Sequence, residues 1–148
     1  MNLATTFPRS VHEKYLGVVQ LARTIDKAKM AVNSVGDYRY DAMDQALFAE
    51  FGIDGKKLSA IVSDVVKNSS NAPNIEAYVK PLVEKKTPLE IQRFNHATLN
   101  RRPIGDDLKP FETLRTKIAP DRSDVTSWAD LLDLQEGRPV PKRSTAVN

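Results

Sequence analysis

The sequence of 148 residues has no cysteine. That excludes disulfides, thiol nucleophiles, thiolate zinc sites and iron–sulfur clusters together, and it suits a reducing cytoplasm. Only six glycines occur, most of them at predicted helix boundaries, so no glycine-rich loop cradles a phosphate. The two histidines, His12 and His96, are far apart on different predicted helices, so the ligand types imply no metal and no cofactor. No serine sits in the sharp strand-to-helix elbow of a hydrolase. Nowhere do ~18 apolar residues follow one another, as a membrane span requires. Met1 to Ser10 also lacks the apolar core of a signal peptide. These absences predict a cytoplasmic protein with no membrane segment.

What remains is ordinary globular material, 41% hydrophobic and 28% charged, enough for one domain with its own core. That domain is expected over 7–138, followed by a flexible basic tail over 139–148. Residues 71–105 hold six Lys/Arg against three Asp/Glu, whereas 106–136 hold four against eight. Such alternation argues for internal pairing over a nucleic-acid-binding stripe, which needs positive charge clustered on one face.

Helical punctuation dominates the chain. Ser10 followed by Glu13 has the form of a capping box. Val11, Tyr15, Val18, Ala22 and Ile25 then recur at helical spacing, predicting a long helix over 11–34 that stops at Gly36. A loop is expected over 37–40, where Tyr38 and Tyr40 flank Arg39. Asp41 caps a helix running through Phe51, and Asp54 caps the next, with Leu58, Ile61, Val62 and Val65 as its stripe. A loop over 68–74 leads to Asn74 as the cap of a helix starting at Ile75, which Pro81 is expected to bend or end. Thr87-Pro88-Leu89-Glu90 is the clearest helix start: cap, proline first, glutamate third. Further helices are expected over 108–118 and, capped by Thr126, over 127–135. No period-two pattern persists. The expected fold is an all-α, compact single-domain bundle of six to seven short helices around a long N-terminal helix.

Gln45 to Val62 has the outline of a DNA-reading helix-turn-helix, which would aim Lys56, Lys57 and Ser59 at a groove. Phe48 argues against it, because it stands where that motif's helices need a small residue. Core packing of two helices is the better account.

Polar residues on apolar faces are more informative. The first predicted helix carries two apolar stripes, the second formed by Leu16, Val19 and Met30. Asp26 falls between them, with Arg23 beside the second; Lys27 points away from both. Asn95 sits among Ile91, Phe94 and Thr98, and Arg115 shares a stripe with Leu108, Phe111 and Ile118. An unpaired buried ion costs several kcal/mol, so partners are required. One account is a structural network in which Asp26 pairs with Arg23 or Arg115 and Asn95 bonds to backbone. A second is a polar pocket in which Arg23, Asp26, Asn95 and Arg115 bind a small anionic ligand through arginine forks. A third has the arginines snorkelling to solvent. Trp128, with Leu131 and Leu132, reads as core, while Asp130 and Asp133 fall on the opposite face and read as solvated.

Arg9-Ser10, Ala22-Arg23 with Ile25-Asp26-Lys27, Phe51-Gly52-Ile53-Asp54, Asn100-Arg101, Ile118-Ala119-Pro120, Thr126-Ser127-Trp128 and Glu136-Gly137-Arg138 occur in an order that resembles the bacterial family grouped as domain of unknown function 5069. The likeness covers roughly 7–138. It implies a single bacterial intracellular domain and carries over no activity, substrate or partner. It does mark Lys27, Asn100, Arg101 and Trp128 as motif residues without assigned roles. The expected function is a non-enzymatic helical module that binds a small anionic ligand or a protein partner. The alternatives are an enzyme with Asp26 as general acid or base, and nucleic-acid binding through the basic middle segment and tail.

Overall fold

The computed structural model describes residues 7–34, 39–68 and 73–142. Among them the chain is all-α, with seven helices and no strand: α1 Leu21–Val32, α2 Ala42–Phe51, α3 Gly55–Lys67, α4 Pro73–Glu84, α5 Pro88–Leu99, α6 Leu108–Ile118 and α7 Trp128–Gln135. The chain divides into two units, Met1–Asn95 and His96–Asn148.

Local chemistry explains several helix starts. The Asp41 carboxylate accepts from the backbone N–H groups of Met43 and Asp44, and Asp44 returns a bond to the Asp41 N–H at 2.8 Å. This reciprocal box starts α2, which closes at Gly52. Asp54 caps α3 through Lys56 and Lys57. Thr87 and Glu90 form the expected box on α5, with bonds of 2.9 and 3.1 Å. Each bond satisfies a backbone donor that the first helical turn leaves orphaned.

The predicted N-terminal helix is the main correction. Only its second half, α1, is helical. Ser10 and Glu13 make an isolated turn in which Ser10 Oγ accepts from the His12 N–H and the Ser10 carbonyl from the Glu13 N–H. Tyr15 and Val18 exchange both backbone bonds at 3.0 Å around Leu16 and Gly17, both with positive φ, as a type I′ turn requires. Gly17 meets that requirement without a steric cost. Val11, Val18 and Val19 are buried, so the apolar spacing comes from a folded-back loop whose valines happen to match a helical period.

Smaller differences follow. α4 begins at Pro73, not Ile75, so Asn74 is its second residue, and the helix continues past Pro81 to Glu84. Ser127, not Thr126, caps α7, accepting from the Asp130 N–H. Gly36 and Tyr38, and most of the 68–74 loop, lie outside the described residues.

In the first unit α1 packs against α2 and α3, and α3 against α4. Its core takes Leu21, Ile25 and Met30 from α1, Leu47 and Phe51 from α2, Leu58 and Val62 from α3, and Val79 from α4. The Phe51 and Phe94 rings meet edge-on at 5.2 Å. At the α2–α3 turn, a Cβ on Gly55 would lie 2.8 Å from the Phe48 ring, so the glycine admits the phenylalanine that seals the two helices together. In the second unit α6 packs on α7. Phe111, Val125, Leu131 and Val140 form its core, and the Trp128 ring stands edge-on to Phe111 at 4.9 Å. Burial of Val140 shows that packed chain extends into the segment read as a tail; residues 143–148 lie outside the described residues.

Candidate binding site

Helix α1 is buried without interruption from Leu21 to Ala28, and that run includes Arg23, Thr24, Asp26 and Lys27. Among the described residues Arg23 is the largest fully buried side chain, at 1% exposure. A helix surrounded by protein has to carry its charges inside, so each needs compensation.

Asp26 is compensated by Arg9. The guanidinium forks onto the carboxylate, Nε to Oδ2 at 2.9 Å and Nη2 to Oδ1 at 3.1 Å, and the Arg9 backbone N–H adds a third bond at 2.9 Å. Bidentate, charge-assisted geometry of this kind is the strong form of the interaction. Arg23 Nη1 donates to the carbonyl of the same Arg9 at 3.2 Å, so two α1 side chains fasten one N-terminal residue. The sequence offered Arg23 or Arg115 as the partner of Asp26. Arg9 precedes the predicted helix, where no helical wheel places it on a face, although it stands in the first of the family-like motifs.

Lys27 also departs from its predicted place. It is buried, and its Nζ lies 2.7 Å from Asp44 Oδ2 and 3.2 Å from Asp41 Oδ2. Asp44, fully buried, accepts four bonds: from Lys27 Nζ and the Asp41 N–H on Oδ2, and from Gln20 Nε2 (2.7 Å) and the Thr24 hydroxyl on Oδ1. Four bonds fill the lone-pair positions of an ionised carboxylate, which leaves Asp44 no capacity for a ligand. Burial alone would raise the pKa of Asp41; Lys27 and the bonds shared with Asp44 outweigh it and hold Asp41 below the usual carboxylate value. Gln20 serves this network at some cost. Its φ is +71°, uncommon for a residue with a side chain, and its buried Oε1 has no hydrogen-bond partner.

Asn95 is half-buried and works on backbone. Its Oδ1 accepts from the Val19 N–H at 3.1 Å and its Nδ2 donates to the Gly17 carbonyl at 2.9 Å. It thereby fastens the turn that precedes α1.

Arg115 belongs to the second unit, on α6. Its Nη1 donates to the Val125 carbonyl at 2.8 Å, and its guanidinium carbon lies 5.8 Å from the centre of the Phe111 ring. It lines a cleft of about 230 Å³ with Arg102, Pro103, Leu108, Phe111, Glu112 and Thr126. Of the other motif residues here, Asn100 donates to the His96 carbonyl at 2.8 Å. The Arg101 carbonyl accepts from the Trp128 N–H at 3.0 Å. Asp130 and Asp133, expected in solvent, are buried, and Arg138 lies 3.7 Å from Asp133 and bonds Glu136. A helical wheel shows which face a residue occupies, and not that chain beyond the helix end folds back over that face. Among the described residues no three His, Asp or Glu side chains converge as metal ligands.

Such a molecule is an all-α protein with a closed internal charge network in one unit and an arginine-bearing cleft in the other. No described helix is long and apolar enough to cross a membrane. The family model for Domain of unknown function (DUF5069) matches residues 5–138, nearly the whole chain, and the protein belongs to that family. No curated protein matches it.

Proposed function

We propose that this protein is a non-catalytic helical module, working in the bacterial cytoplasm, that binds a small anionic ligand or the anionic end of a protein partner through Arg115. The observation carrying this reading is the state of that guanidinium. It is half-buried and fixed by the Val125 carbonyl, while its remaining donors make no hydrogen bond within the described residues. A guanidinium has five donors, and fixing it beforehand reduces the ordering cost of binding. In this reading Arg23, Asp26 and Asn95 hold the first unit together, and Arg115 alone of the four grips the ligand.

The acid–base alternative needs an Asp26 that can exchange a proton with a substrate. A carboxylate at 1% exposure with three donors already on it favours a structural role. Native mass spectrometry of the purified protein, paired with melting curves across a panel of small anions, tests the proposal. At least one anion should raise the melting midpoint, and Asp26→Asn should lower the midpoint while preserving that shift. An Asp26→Asn protein with a wild-type midpoint and no anion response would move the site to Asp26 and overturn the proposal.

A further inference from the structure

The cleft at Arg115 is specific enough to name a ligand class, and the inference rests on the binding role just proposed. We infer that it takes a monocarboxylate carried on a compact apolar body, with the carboxylate on Arg115 and Arg102 and the body on Leu108, Phe111 and Pro103.

Size comes first. About 230 Å³ falls below the roughly 300–1,000 Å³ of sites that enclose drug-sized molecules. The space suits a group the size of one amino-acid side chain. Part of its wall is apolar: Pro103, Leu108 and Phe111 line it, with Phe111 buried and Leu108 47% exposed. Next to the cleft in sequence, Ile104 is 77% exposed, a large aliphatic side chain left uncovered beside a charged site. An apolar ligand body would cover such surface, at about 25 cal/mol per Å² removed from water.

Charge then selects the head group. Arg102 makes no hydrogen bond or ion pair among the described residues, and Arg115 makes only the bond to Val125. Two guanidinium groups on one small cleft, with donors unused, call for an anion, and the planar fork matches a carboxylate bidentately. Glu112 lines the same cleft and forms no ion pair among the described residues. Its negative charge disfavours a second charge on the ligand, which selects a monoanion over a phosphate monoester or a dicarboxylate. Thr126 adds a neutral hydroxyl to the lining.

Two sources share this chemistry: a free apolar carboxylic acid, and the C-terminal residue of a peptide with an apolar side chain. The test uses the full-length protein in isothermal titration and melting curves. The probes are phenylacetate, isovalerate, inorganic phosphate, and a leucine-terminated tetrapeptide with a free or amidated C-terminus. Phenylacetate or isovalerate should bind saturably, at least tenfold tighter than phosphate. The free acids binding tighter than the tetrapeptide points to a metabolite; the free-ended peptide binding tighter, and losing at least tenfold on amidation, points to a protein terminus. Arg115→Lys keeps a donor for Val125 and should weaken binding at least tenfold with unchanged helix content. Leu108→Ser, at an exposed position, should weaken it several-fold, and Glu112→Gln should narrow the preference over phosphate. Carboxylate binding undiminished in both Arg115→Lys and Leu108→Ser overturns the cleft assignment. Phosphate binding tighter than every carboxylate, and lost in Arg115→Lys, overturns the ligand class while the anion-binding module stands. Failure of all anions to bind overturns both.

Discussion

On α1, Asp26 and Lys27 are adjacent, opposite in charge and shut away from water, and each meets its counter-charge from another part of the first unit: Arg9 for one, Asp44 and Asp41 for the other. On α6, Arg115 is only half-buried, rests on one carbonyl, and faces a cleft shared by Arg102, which is exposed and makes no ion pair among the described residues. Both arrangements put charge beside apolar groups, and they differ in what is left over. Asp26 on α1 accepts three hydrogen bonds and Asp44 on α2 accepts four, so their capacity is used in holding the fold. Among the described residues the α6 guanidinium commits one donor, to Val125, and keeps the rest. A buried charge identifies a binding site only after its hydrogen bonds have been counted, because closed pairs stabilise a particular packing whereas unspent donors await a partner.

Asp44→Ala should break the closed side of this contrast most severely. It strands Lys27 in the interior, and removing one member of a buried pair costs about 3–5 kcal/mol. Urea unfolding followed by circular dichroism measures the loss. Replacing both residues, Lys27→Met with Asp44→Leu, should recover much of it, since the stranded charge is gone. A double variant no more stable than Asp44→Ala would show that the network contributes more than charge compensation.

Asp26→Asn should cost less, about 1–3 kcal/mol, because Arg9 is partly exposed and its freed guanidinium can reach solvent. The same unfolding experiment ranks the two, and equal losses would contradict the difference in exposure. Arg115→Leu should cost roughly 0.5–1.5 kcal/mol for the bond to Val125, while eliminating anion-induced stabilisation in melting curves. A loss as large as that of Asp44→Ala would make Arg115 a structural residue.

The smallest effect concerns acid. The folded pKa of Asp41 lies below its unfolded value, so between the two the unfolded chain binds more protons than the folded one. Its contribution is therefore complete above the unfolded value of about 3.9 and disappears as pH falls through the lower folded one. Unfolding free energies from pH 5 to pH 2 should show this slope, and Asp41→Asn should flatten it.

The helices that could be read from the sequence share a cause. α2, α3 and α5 are started by Asp41, Asp54 and Thr87, whose side chains bond to backbone two or three residues away. α6 matches its predicted span at both ends. For α2, α3 and α5 the deciding interaction is a local cap; α6 has no side-chain cap bond and follows its amphipathic stripe. The N-terminal segment departs from its expected helix because periodicity is blind to hand: Val11, Val18 and Val19 fit a helical wheel, yet Leu16, Gly17 and Gln20 carry left-handed backbone. Gly17 was the available signal. Arg115 and its stripe partner Phe111 were visible beforehand; Arg102, Pro103 and Thr126, which complete the cleft, come from segments outside α6.

By itself, then, the order of residues determined the all-α class, four helix starts and the presence of charge on inward faces, because caps and amphipathic stripes act within one or two turns. Tertiary structure decided which charges meet. Arg9 reaches Asp26 and Lys27 reaches Asp44 across 17 residues each, and no local rule chooses among several arginines or aspartates at such distances. That choice belongs to the fold, since only packing fixes which ions lose their water and so require each other.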